Sequence, residues 1–400
     1  MAREPIFSAK SRVVGYRLHV AAHSVHDDGD DAIRLGQSLD ADGFDALTFG
    51  QPAFVRAGLA TLLTGLPPLL APKRTVIELS ADMADSRTTR IACERWRGQG
   101  YALAIDDFSM GAPAAGLAPL VNYLKIPMGP EPTCDSRSRT VASLKAGGAS
   151  VIATGVNTLE QWEAAAADGV TGFQGFFFGR PMTAGGRTIS TQQLASLRLL
   201  RALNESNLSV GQLEDIVKHD ASLCYWLLRC INSAAYALPR TVTSVGDALL
   251  LLGRDVVKRW ASMWAMAGLN TYAHNEVVTT STVRARVCEL LARTGHGDEL
   301  AGEAFLLGMC SLLDAMLGRP MAEIVAELPL SASLRDALQG QPNTLRSILD
   351  TVVAHERGAF AECETLGAVA HVDARMIPGA FLEALRWARE FQAPAAPARA

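Results

Sequence analysis

The feature that most constrains the fold of this 400-residue chain is a change of pattern about half-way along it. From residue 13 to about residue 177, short β-rich runs alternate with helical stretches, as in βα units around a parallel sheet. From residue 190 to about residue 391, the sequence is typical of helices broken by Gly, Pro and Asn. The sequence therefore predicts an α/β domain followed by an all-α domain, which the chain length also favours.

The first half contains seven strand-like runs, so we expect a TIM-like barrel that is open or shortened by about one βα unit. We assign helices to residues 52–63, 86–97 and 158–168. Thr158 with Gln161, Ser190 with Gln193, and Ser209 with Gln212 have the spacing of capping boxes, which mark helix starts. The predicted strands are 13–20, 46–49, 75–79, 102–105, 122–126, 150–154 and 172–177.

Charge and hydropathy exclude several classes of partner. The 37 basic and 41 acidic residues give a net charge of -4, which offers no broad attraction for nucleic acid or an anionic membrane. The longest apolar runs are too short to span a bilayer. The seven cysteines are scattered singly, without the spacing of a zinc or iron–sulfur site, and are typical of a reducing compartment. We expect a cytoplasmic protein.

Four motifs of the first half follow one another in a characteristic order. The run GYALAIDDF places Asp106 and Asp107 at the end of an apolar strand, and NYLKI ends the next predicted strand near Lys125. ATGVNTLEQ and FQGFFFGRP come later. In this order the motifs resemble the EAL-domain phosphodiesterases of cyclic di-GMP, and the resemblance covers roughly residues 1–182. Such a domain implies a TIM-like barrel whose site lies at the C-terminal ends of the strands.

The resemblance also implies a two-metal centre, held by carboxylates and an asparagine and assisted by a lysine. Five positions of this chain match that site: Glu78, Asp106, Asp107, Lys125 and Gln174. Hard divalent cations need several oxygen ligands, so each position that departs from the pattern matters.

Four positions depart from it. Arg17 stands where the glutamate that names the family is expected, and Phe49, or Gly50 with a shift of one residue, replaces the asparagine. Thr154 and Asn157 replace a later pair of glutamates. Because a guanidinium stays protonated and none of the four supplies a carboxylate, we expect a degenerate site without a bound metal.

Two consequences follow for the predicted pocket. The nucleotide-holding positions also differ, with Glu4 for a glutamine and Ala21 for an arginine, so cyclic di-GMP is not expected as a ligand. Arg17 should form a salt bridge with Glu78 or Asp106, with Lys125 close by as a second cation, because clustered carboxylates need compensating charge.

The second half resembles the HDOD family over about residues 195–385, on the segments LEDIVKHD, TSVGDALLLLG and AFLLGMCSLLD. HDOD domains are similar to the metal-dependent HD phosphohydrolases but lack their His-Asp ligands, and here Ser311 and Leu312 stand in that place. His219 and Asp220 also form a His-Asp dipeptide, but we interpret them as the end of a helix and not as metal ligands. We predict a barrel domain at 1–188, a connector helix at 189–203, an all-α HDOD domain at 204–391 and a disordered tail at 392–400.

From the missing ligands we expect a non-enzymatic signalling adaptor without a cofactor, which binds other signalling proteins through one or both domains. Homodimer formation stays open. One alternative is a receptor that binds cyclic di-GMP without cutting it, and a second is a residual cyclic di-GMP phosphodiesterase. Hydrolysis requires metal ligands at the positions of Arg17, Phe49 and Thr154, whereas an adaptor does not.

Overall fold

The computed structural model describes most of the chain. The described residues are 1–21, 30–108, 117, 119–128, 134–179, 196, 199–200, 202–203, 208–219, 223, 227, 231, 242, 244–269, 275–327 and 330–391. They divide into two compact units, one comprising Met1–Arg180 with Thr351–Thr365, the other Pro181–Asp350 with Leu366–Ala400.

Within the described part of the first unit, eight strands close into a barrel in chain order. β1 runs antiparallel to its neighbours β2 and β8, and the remaining neighbours are parallel. Apolar side chains such as Ile6, Phe54 and Ile152 form a buried cluster between the strands. The strands are β1 (Ala2–Ser8), β2 (Val13–His19), β3 (Ala53–Arg56), β4 (Thr75–Ser80), β5 (Ala102–Asp106), β6 (Tyr123–Pro127), β7 (Ser150–Thr154) and β8 (Gly172–Gln174).

Helices connect these strands. They are α1 (Asp31–Ser38), α2 (Ala41–Thr48), α3 (Leu59–Thr64), α4 (Arg87–Gly98), α5 (Cys134–Ala146) and α6 (Leu159–Ala167). The capping box predicted at the start of α6 is confirmed, with Thr158 and Gln161 bonding to each other's backbone N–H groups. After β8 the backbone turns at Gly175, where φ is +147° and an added Cβ would lie 2.1 Å from the Val156 carbonyl oxygen. Only glycine fits this approach.

Three parts of the strand prediction are wrong. The barrel is closed and has eight strands, because β1 precedes the first predicted run. Residues 46–49 belong to α2 and its end, since Asp40 caps the helix by accepting a 2.8 Å hydrogen bond from Gly43 N–H. The strand expected there is β3, inside the stretch assigned to a helix. Short apolar runs fit either structure, and only tertiary pairing decided between them.

After the barrel strands, the described residues from 208 to 391 contain helices and no strand, as predicted for the second half of the chain. Residues 351–365 among them belong to the first unit. The capping box at Ser209 and Gln212 is also confirmed; the one at Ser190 and Gln193 lies outside the described residues. The helices are α7 (Val210–Lys218), α8 (Val245–Leu252), α9 (Arg254–Leu269), α10 (Asn275–His296), α11 (Asp298–Cys310), α12 (Leu313–Leu317), α13 (Met321–Glu327), α14 (Ala332–Leu338), α15 (Thr344–Glu356), α16 (Phe360–Val369) and α17 (Ile377–Phe391).

In the core of the second unit, α10 packs closely against α11. A Cβ at Gly308 would lie 2.5 Å from the backbone nitrogen of Ala285, so the two helix backbones approach closely. In the described part of the chain, Leu300–Leu317 is apolar and long enough to cross a membrane, but 61% of it is buried in the fold and it is interrupted between α11 and α12. It therefore has the character of a core segment.

The predicted domain boundaries remain predictions. Only five positions of the connector helix predicted at 189–203 are described, and those, 196, 199–200 and 202–203, are helical. The tail predicted at 392–400 lies outside the described residues.

Candidate active site

Charged side chains gather where the parallel strands of the barrel end. Arg17 lies on β2, Glu78 on β4, Asp106 at the end of β5 and Lys125 on β6. The ends of parallel strands meet at one rim, so residues far apart in sequence become neighbours. Glu78 and Lys125 are fully buried, and the Asp106 side chain is 5% exposed.

Ion pairs connect these four side chains. Arg17 Nη1 lies 2.8 Å from Asp106 Oδ2, and Arg17 Nε lies 3.3 Å from Glu78 Oε2. The Arg17–Glu78 contact lacks hydrogen-bond geometry. Lys125 Nζ donates to Glu78 Oε1 and lies 3.8 Å from Asp106 Oδ1. The predicted Arg17 salt bridge, with Lys125 close by, is therefore confirmed.

Glu4 extends the cluster on β1. Because β1 is antiparallel, Glu4 pairs in register with Arg17 on β2. Its Oε2 accepts a 2.5 Å hydrogen bond from Gln174 Nε2 and lies 3.4 Å from His19 Nε2. Gln174 Oε1 is buried without a hydrogen-bond partner among the described residues. A hydrogen-bonded carboxylate–amide pair, Glu4 with Gln174, therefore lies beside the ion pairs of the rim.

Electrostatics favour the ionised form of the Asp106 carboxyl group. Burial alone would raise the pKa of Asp106, but Lys125, Arg17 and Arg56 hold this pKa below its ordinary value. Burial would likewise lower the pKa of Arg17, whereas Glu78 and Asp106 raise it. The rim is thus a set of compensated charges in a largely buried environment.

The sequence prediction missed Arg56, which ends β3 and acts electrostatically on Asp106. It was missed because residues 52–63 were assigned to a helix. The position expected to replace the asparagine, Phe49, instead ends α2, where its ring packs against Arg3 and Tyr16. The placement of Phe49 at a strand end is therefore wrong, and Arg56 stands at the end of the next strand. A correct strand assignment would have revealed it.

The remaining predicted site residues are Asp107, Thr154 and Asn157. Asp107 is exposed and has a left-handed backbone, with φ +53°. The Thr154 hydroxyl, at the end of β7, donates to the Ile126 carbonyl. Asn157 is exposed, and its side-chain oxygen accepts from Phe176 N–H at 3.3 Å. Thr154 and Asn157 thus have structural contacts.

These residues do not fit a two-metal centre. Within the described residues, no group of three or more His, Cys, Asp or Glu is arranged to hold a metal ion. Glu78 and Asp106 are the buried carboxylates at the rim, and both already contact the cations Arg17 and Lys125. Divalent cations such as Mg²⁺ require several oxygen ligands and are repelled by neighbouring cations.

The fold and rim define a class: a TIM-like barrel of EAL type followed by an all-α HDOD domain. The HDOD domain family matches residues 191–343. YuxH of Bacillus subtilis is 31% identical over 402 residues, which cover 97% of each protein. This chain therefore belongs to the YuxH family of EAL–HDOD proteins.

A second relative bears on activity. The cyclic di-GMP phosphodiesterase CdgJ of Vibrio cholerae is 27% identical over 405 residues, covering 98% of this chain and 92% of CdgJ. This finding overturns the expectation of a non-enzymatic adaptor. The expectation that the chain is not an enzyme is likewise wrong, because it treated every departure from the metal-ligand pattern as a loss of activity.

Two solved structures match less than half of this chain. BlrP1 of Klebsiella pneumoniae, in a calcium and cyclic di-GMP complex, is 22% identical with a TM-score of 0.37, covering 45% of this chain and 54% of that chain. The EAL domain of Mycobacterium smegmatis DcpA is 20% identical with a TM-score of 0.37, covering 44% of this chain and 88% of that chain. This likeness is weak, and the family assignment depends on the full-length relatives.

Proposed function

We propose that this chain is a cytoplasmic bacterial phosphodiesterase of cyclic di-GMP, with its active site at the C-terminal rim of the barrel. The observation that carries the proposal is the buried, ion-paired group of Glu78, Asp106 and Lys125 on three adjacent strands. Support also comes from the similarity to CdgJ along 98% of the chain.

The reaction is hydrolysis of one phosphodiester of the cyclic dinucleotide. Water adds to phosphorus, the bond from phosphorus to the sugar 3′ oxygen breaks, and that oxygen leaves as a hydroxyl after taking a proton. The product is a linear dinucleotide with a terminal phosphate. The protein must therefore accept a proton from water, stabilise charge on the phosphoryl oxygens and hold the attacking water in line with the bond that breaks.

The rim residues suit these tasks unequally. Asp107, which solvent reaches, is our candidate to accept the proton from the attacking water. Arg17, with 14% of its side chain exposed, and Arg56, at the end of β3, are candidates to contact the phosphoryl oxygens. Lys125 is fully buried and holds Glu78 and Asp106 in place, so it is a positioning residue.

The test is a hydrolysis assay with the purified full-length chain and labelled cyclic di-GMP, with separation of the linear product. Asp107→Asn should lower the rate by about 100-fold or more, the usual effect of losing a general base. Glu94→Gln is the control, because Glu94 is an exposed residue on α4 that pairs with Arg90. Its rate should equal that of the wild type.

Two outcomes contradict the proposal. Nucleotide binding without any product would favour a receptor, and the absence of both would remove cyclic di-GMP from the function altogether. We further propose that the HDOD domain binds other signalling proteins, whereas homodimer formation stays open.

A further inference from the structure

The rim carries its own cations where a metallo-phosphodiesterase would hold metal ions. Each oxygen of the two buried carboxylates faces a cation. Glu78 Oε2 and Asp106 Oδ2 face Arg17, at 3.3 and 2.8 Å. Glu78 Oε1 and Asp106 Oδ1 face Lys125, the second of these at 3.8 Å. A divalent ion could bind this pair only by displacing both cations.

Displacement of Arg17 would be unfavourable for two reasons. Its guanidinium stays charged under all ordinary conditions, so it cannot leave the site by losing a proton. Its side chain is only 14% exposed and contacts both carboxylates, which a single lysine would otherwise have to neutralise. Arg56 adds a third positive charge near Asp106. Glu78 and Asp106 are therefore already compensated by cations of the chain itself.

We infer that Arg17, together with Lys125, takes the place of divalent metal ions at this rim, so that the chain binds the phosphodiester of cyclic di-GMP without a metal. The part that concerns the nucleotide rests on the proposed function. The part that concerns metal exclusion rests on the contacts of Arg17 and Lys125 alone. Arg17 and Lys125 repel Mg²⁺ or Mn²⁺ and attract an anionic phosphodiester.

The direct test is calorimetric titration of Mn²⁺ into the metal-stripped full-length chain and into an Asp106→Asn variant. We expect the same heat from both, because Asp106 is already paired with Arg17 and Lys125. Saturable binding to the wild type that Asp106→Asn abolishes would overturn the inference. Binding that both proteins share lies elsewhere on the chain and leaves the inference intact.

An Arg17→Glu variant tests the same point in the opposite direction. It removes the cation and adds a carboxylate beside Glu78 and Asp106, so Mn²⁺ should bind at least about tenfold more tightly than to the wild type. Arg17→Gln is the matched control, since it removes the charge without adding a carboxylate, and it should bind Mn²⁺ more weakly than Arg17→Glu. A folded Arg17→Glu protein with no gain in affinity would count against the inference.

Hydrolysis with and without a chelator separates this inference from the proposed function. Equal rates in EDTA and in Mn²⁺ support both. A rate that EDTA abolishes and Mn²⁺ restores would overturn the inference and leave the phosphodiesterase function standing. Absence of hydrolysis in either buffer, with no Mn²⁺ bound at the rim, would remove the proposed function while metal exclusion stands.

Discussion

Replacement of Arg17 by methionine should destabilise the barrel unit substantially. The variant keeps most of the apolar length of the side chain but leaves Glu78 and Asp106 to share Lys125. Breaking a buried ion pair on one side usually costs about 3 to 5 kcal/mol, because the other charge remains buried without compensation. Glu78 is fully buried and Asp106 is 5% exposed, so solvent screens neither of them well. Lys125 retains part of the compensation, so we expect a loss of about 3 kcal/mol.

Chemical denaturation of the full-length chain, followed by circular dichroism, measures this change. A thermal melt gives a second readout: for a unit of 150 to 250 residues, 1 kcal/mol corresponds to about 2 to 4 °C in Tm, so the shift should be roughly 6 to 12 °C. The control is Arg90→Met, whose ion pair with Glu94 is more than half exposed on both sides. Exposed pairs usually contribute less than about 1 kcal/mol.

A double variant distinguishes ion pairing from simple packing. Arg17→Met combined with Asp106→Asn removes charge from both partners and should recover part of the stability that Arg17→Met loses. The reasoning is refuted if Arg17→Met costs no more than Arg90→Met, or if the double variant loses the sum of the two single losses.

Three further predictions concern other parts of the fold. Gly175→Ala should cost about 3 kcal/mol or more in unfolding free energy, because its Cβ would overlap the Val156 carbonyl, whereas Gly98→Ala, which meets nothing within 4 Å, should be neutral. Burial lowers the pKa of His355 from 6.5 to about 3. Between these pH values the unfolded chain binds more protons than the folded chain, so the free energy of unfolding should fall as the pH drops below 6.5. In denaturation series at different pH values, His355→Asn should show a flatter dependence than the wild type. Ser209→Ala should cost about 1 kcal/mol in a thermal melt, since its hydroxyl accepts the 3.2 Å bond from Gln212 N–H.

Local pattern was sufficient for several features. The capping boxes before α6 and α7 could be predicted because both partners lie within four residues of each other. The meeting of Glu78, Asp106 and Lys125 could be predicted because each stands on an apolar strand of the same parallel sheet. The negative charges of Glu78 and Asp106 also predicted that Arg17 would pair with one of them.

The functional interpretation failed for a different reason. It inferred loss of activity from Arg17, Phe49 and Thr154 one position at a time. The similarity to CdgJ along 98% of the chain concerns both domains together and overturns that inference. Phe49 was moreover placed at a strand end that the structure locates at Arg56.

The sequence by itself determined the two fold classes, the order of the motifs and the charges at the rim, because these depend on local periodicity and residue chemistry. Only the tertiary structure decided that the barrel closes with eight strands. Closure requires β1 to pair with β8, which places Ile6 opposite Gln174, and no local pattern encodes such a distant partner. The same closure brings Glu4 to Gln174, the pairing of β1 with β2 places Glu4 opposite Arg17, and the pairing of β3 with β4 places Arg56 opposite Glu78. The neighbours of the buried carboxylates therefore depend on strand register, which is set by the packing of the whole barrel.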